Sequence, residues 1–153
     1  MKKLMIVVVC LLVACPTVFG ATLEEGVAAH RKGDYATAGK ILLELAEDGD
    51  PMAQFILGGM YSDGKGFAQA PAEAYFWMTN AISLAFTDDL RTYIVKCREI
   101  IEKKLTPAQC TEIQERSKKW QEAFAKHICP NHPAKAPHEH DHGDAHDHPA
   151  ESN

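Results

Sequence analysis

From Thr22 to about Lys126 the apolar residues recur at intervals of three and four, and no stretch alternates with period two. β-Branched residues are sparse over this region, so the pattern predicts helices throughout. Two late stripes are sharply drawn. Leu90, Ile94, Cys97 and Ile101 fall on one side of a helix, as do Cys110, Ile113, Ser117, Trp120 and Phe124 further along. The two stripes are expected to face each other in a helical hairpin.

Breaks in the pattern divide the region into six helices. "KGD" (32–34) ends the first and "EDGDP" (47–51) ends the second. Asp50-Pro51 supplies an N-cap and a first-position proline for the third helix. The longer loop "SDGKGFAQAP" (62–71) leads to a fourth helix that starts at Pro71, and "TDD" (87–89) opens the fifth with acids. "LTPAQ" (105–109) fits a capping box, with Thr106 as N-cap, Pro107 next and Gln109 at the third position. Short connections make consecutive helices antiparallel neighbours.

Part of the chain repeats. "YATAGKILLELAEDG" (35–49) aligns with "PAEAYFWMTNAISLA" (71–85) at an offset of 36, which places Ala38 on Ala74, Ile41 on Trp77, Leu45 on Ala81 and Gly49 on Ala85. Periods of this length mark solenoids, in which stacked units bury what one unit cannot. The segment "AQFILGGMYSDGKGFAQAPAEAYFWMTNAI" resembles the Sel1-like repeats, relatives of the tetratricopeptide repeats. The carrying residues are Ala53, Leu57-Gly58, Tyr61, Gly64, Gly66, Ala74, Trp77 and Ala81. The resemblance spans roughly residues 22–127, counting a degenerate unit before the clear repeat and a closing hairpin over 88–127. Ala85 and Phe67 depart from it, standing where glycine and a small aliphatic residue are usual. It implies an all-α fold, a short α-solenoid of about six antiparallel helices, that acts as an adaptor holding a protein partner in its groove. Tyr61 and Tyr75 are the candidate groove residues, while Trp77 reads as core.

The ends of the chain are different in kind. "MKK" followed by "LMIVVVCLLVA" and "VFG" reads as an export signal over 1–20, cleaved between Gly20 and Ala21. "LVAC" keeps a second reading open: a bacterial lipobox acylated at Cys15, which would anchor the protein to a membrane. Loss of Lys2 and Lys3 takes the 16 basic residues to 14 against 21 acidic, a net charge near −7. Such a charge disfavours nucleic acid, whose binding rests on Lys and Arg facing phosphates. The predicted divisions are therefore a signal over 1–20, a helical domain over 21–129 and a histidine-rich tail over 130–153. The tail contains four prolines and almost no large apolar side chain, so disorder is expected there.

No catalytic constellation is found, and a non-enzymatic protein is expected. "GKG" (64–66) lacks the rest of a phosphate-binding loop. Cys97, Cys110 and Cys129 survive cleavage, so one disulfide and one odd thiol is the arithmetic expectation in an oxidising compartment. Cys97 and Cys110 are the candidate pair, with two reduced thiols as the alternative, because their heights along a hairpin differ by about 6 Å. "HICPNH" places His127, Cys129 and His132 within six residues, but no second fixed pair of zinc ligands is evident. The tail's His132, His138, His140, His142, His146 and His148 are candidate labile ligands for Zn²⁺, Ni²⁺ or Cu²⁺, and no cofactor is required.

Overall fold

The computed structural model describes residues 20–128. It comprises six helices: α1 (Leu23–Lys32), α2 (Tyr35–Glu47), α3 (Pro51–Asp63), α4 (Pro71–Leu84), α5 (Asp88–Glu102) and α6 (Pro107–Ile128). No strand occurs among the described residues. The signal and tail boundaries lie largely outside them.

Local chemistry sets the helix ends. Thr22 and Glu25 form a reciprocal capping box at the start of α1. Gly33 closes that helix in the left-handed region at φ 81°, a conformation that costs glycine nothing. The Asp34 and Asp50 side chains cap α2 and α3 by accepting from Thr37 N–H and Ala53 N–H. Thr106 and Gln109 exchange hydrogen bonds at the start of α6, as their spacing predicts. Ala85 follows α4 with φ −60° and ψ 125°, so no glycine is needed there. Arg91 of α5 donates instead to the carbonyls of Ile82 and Ala85, which the helix end leaves free.

Each helix from α1 to α4 packs on the next, and α6 then returns to α4. α4 receives three neighbours because it is apolar on nearly all sides. The five consecutive residues Ala74 to Met78 are all buried, as are Asn80 and Ala81. The expected face-to-face pairing of the α5 and α6 stripes is therefore corrected: both stripes face α4. Side chains show how α6 lies along it. Gln114 reaches the Tyr75 hydroxyl, Gln121 reaches Asn80 Oδ1, and the Trp120 ring meets Trp77 edge-on at 6.3 Å. Residue numbers rise together along the two helices, so they run parallel.

Ala38 and Ala74, the aligned small residues of the repeat, are both fully buried, as are Leu42 and Leu57. The loop after α3 turns through Gly64 and Gly66, both at positive φ. A side chain on Gly66 would come within 2.5 Å of the Tyr35 carbonyl oxygen, so only glycine lets this loop lie against the start of α2.

Candidate interaction faces and metal ligands

Tyr75 is fully buried. Its hydroxyl accepts from Gln114 and its ring lies 5.3 Å from the Arg98 guanidinium carbon. The expectation that Tyr75 faces a partner is thus overturned. The surface of α4 is covered on nearly all sides, and a central aromatic there becomes core. Tyr61 is half-buried and stacks on Phe67 with ring centroids 4.4 Å apart. Burial pushes its phenol above the usual tyrosine range; Glu73 adds to this and Arg116 opposes it. Trp77 is core, as read from the sequence.

Cys97 and Cys110 are free thiols, the first half-buried and the second buried. They do not form the candidate disulfide; α5 and α6 each pack on α4. An open cleft of about 710 Å³ remains between the two helices, lined by Glu99, Leu105, Cys110 and Gln114.

An apolar surface that the sequence reading did not single out lies on and just before α5. Phe86, Tyr93 and Ile100 are 75%, 57% and 61% exposed. They follow one another at intervals of seven, close to two helical turns, so Tyr93 and Ile100 share one face. Phe55 of α3 meets the Tyr93 ring edge-on at 5.6 Å and extends the row across a second helix. The seven-residue spacing was the available signal; it is adjacent to the buried stripe of Ile94 and Ile101 and merges with it in a periodicity count.

A second surface forms where α6 ends. Phe124 lies on Gly49, and a side chain at Gly49 would collide with that ring. Phe124 also stacks on Trp120 at 4.9 Å. Around this stack Glu47, Asp48, His127 and Ile128 line a cleft of about 390 Å³. Gly20 and Ala21, the expected cleavage pair, precede α1, and Gly20 is exposed. Cys15, Cys129, His132, His138, His140, His142, His146 and His148 lie outside the described residues. Among the described residues no three His, Cys, Asp or Glu side chains are placed to hold a metal ion, and no helix is long and apolar enough to cross a membrane.

No protein family, curated protein or solved structure matches the chain.

Proposed function

We propose that this chain is a non-enzymatic interaction module of the Sel1-like type, exported to the bacterial cell envelope, where it holds a segment of a partner protein. The observation that carries the reading is the exposed row of Phe86, Tyr93 and Ile100 beside Phe55. Aromatic and aliphatic side chains gathered on one solvent-facing surface are the ordinary material of a protein interface. The aligned buried alanines and the glycine turn after α3 support the repeat assignment. A photo-crosslinking amino acid in place of Thr92, next to the row, tests the proposal in envelope preparations. A discrete adduct that disappears on Tyr93→Ser/Ile100→Ser substitution is expected; no adduct, or one insensitive to that change, refutes it. Mass spectrometry of the N-terminus tests export. It is expected to begin at Ala21, whereas an acylated Cys15 places the protein on a membrane.

A second reading rests on the five histidines within residues 138–148. They suit a metal-handling tail that buffers or delivers Zn²⁺, Ni²⁺ or Cu²⁺ at several labile sites, with binding that weakens below about pH 6.5 as the rings protonate. Deletion of 130–153 abolishes multi-ion binding under this reading and leaves the partner adduct intact under the first.

A further inference from the structure

The exposed apolar row of α5 lies between charges of opposite sign. α5 packs mainly on α4, and the side that carries Tyr93 and Ile100 is left open. Asp88 and Asp89 begin the helix, whereas Lys103 caps its end and Lys104 follows. At about 100° per residue, Asp89 stands roughly 40° from Tyr93 around the helix and Ile100 roughly 20° from it, and Lys104 continues the same line. Asp89, Lys103 and Lys104 are all exposed, and among the described residues none of them has an ion pair.

An acidic end, an apolar middle and a basic end are self-complementary. The same helix turned end for end offers base to acid and apolar to apolar, which is the pattern of a two-fold interface. The residues also set a register. With Tyr93 opposite Ile100 of the partner subunit, Asp89, four residues earlier, falls opposite Lys104 of the partner subunit, four residues later. Phe86, seven residues before Tyr93, falls at Pro107 of the partner subunit, where the α5–α6 turn ends. Symmetry repeats each pair, so an Asp–Lys pair closes both ends of the row. The two Lys96 side chains, exposed beside the axis, are the like-charged contact, and Glu99 stands one turn from each. Parallel pairing would set Asp89 against Asp89 and Lys104 against Lys104. Antiparallel pairing also puts the positive end of each helix beside the negative end of the other.

Resting on the reading of this row as an interface, we propose that the partner it holds is a second copy of the chain, docked through an antiparallel α5–α5 contact about a two-fold axis near Lys96 and Cys97. Phe86, Tyr93 and Ile100 of each copy are covered by the other, and Phe55 of α3 widens the contact beside Tyr93.

Sedimentation equilibrium of the purified chain, kept reduced so that Cys97 cannot crosslink, measures the association. The mass is expected to rise with concentration toward twice that of one chain, and added salt should weaken the association. Tyr93→Ser/Ile100→Ser should weaken it about tenfold or more, the scale of losing central interface side chains. Both side chains are exposed, so the helical circular dichroism stays unchanged. Asp89→Lys or Lys104→Asp alone should also weaken it about tenfold or more, because like charges then face each other. Mixing these two single variants should recover the natural affinity as a heterodimer, since each acid again meets a base. A chain that stays monomeric, a dimer indifferent to the row substitutions, or mixed variants that fail to recover overturns the proposal. A monomeric chain that still forms the Thr92 adduct with a different protein overturns the second copy alone and leaves the row as an interface.

Discussion

Arg116 holds Glu73 through two hydrogen bonds, of 2.6 and 2.9 Å, that join α6 to the start of α4. The guanidinium also covers the Phe76 ring at 4.0 Å. The hydrogen bond to Glu73 is the main reason the Arg116 proton is held more tightly than usual. A double-mutant cycle with Glu73→Gln and Arg116→Gln should give a coupling of roughly 0.5–1 kcal/mol, because both side chains remain partly in water. Added salt should shrink it. Arg116→Lys keeps the charge but loses the fork, so it is expected to recover only part of the coupling.

The adjacent glycines of α3 should respond to alanine with opposite signs. A Cβ on Gly58 would lie 2.9 Å from Met78 Cγ and 3.2 Å from the Ala74 carbonyl oxygen, whereas one on Gly59 meets nothing within 4 Å. Gly58→Ala is expected to destabilise by about 1–3 kcal/mol through overpacking of α3 on α4. Gly59→Ala should stabilise by about 0.5–1 kcal/mol through helix propensity alone. Denaturant midpoints of the two variants decide it.

Trp77 is 6% exposed and meets Phe76 and Trp120 edge-on. Trp77→Ala should cost about 3–5 kcal/mol, the range for emptying an aromatic core site. An unaltered thermal melt would contradict the core placement.

The Asp34 cap should make the first turn of α2 sensitive to acid. Hydrogen bonds from Thr37 lower its carboxyl below the ordinary 3.8. A depressed folded-state value contributes stability above pH 3.8, and that stability is lost as pH falls further through the folded value. Amide exchange at Thr37 should therefore quicken below about pH 4 in the natural protein. In Asp34→Asn, which retains a capping oxygen without a titrating proton, the rate should show no such step.

The legible parts of the fold were those fixed by neighbours in sequence. Asp50-Pro51 and Thr106-Pro107-Gln109 mark helix starts because a cap is made within three residues. Ala38 and Ala74 reveal the repeat because small residues recur where helices touch. Periodicity also identified the apolar stripes of α5 and α6, but it reports which face of a helix is apolar and not which neighbour covers it. The pairing of those stripes, the placement of Cys97 and Cys110, and the orientation of Tyr75 all depended on that missing fact, and all were settled by α4 being buried on nearly all sides. The cleft that Asp48 and His127 both line was beyond reach for the same reason, since it depends on where α6 returns.

The position of α6 also fixes an order of events during synthesis. Trp77, Tyr75 and Asn80 are made early, yet their partners Trp120, Gln114 and Gln121 are among the last described residues to leave the ribosome. Until then the central helix presents an uncovered aromatic edge, a hydroxyl and an amide, and the nascent chain has the exposed apolar surface of an incomplete fold. A chain cut short before Gln114 keeps that character permanently, so early termination yields a sticky product and not a smaller solenoid.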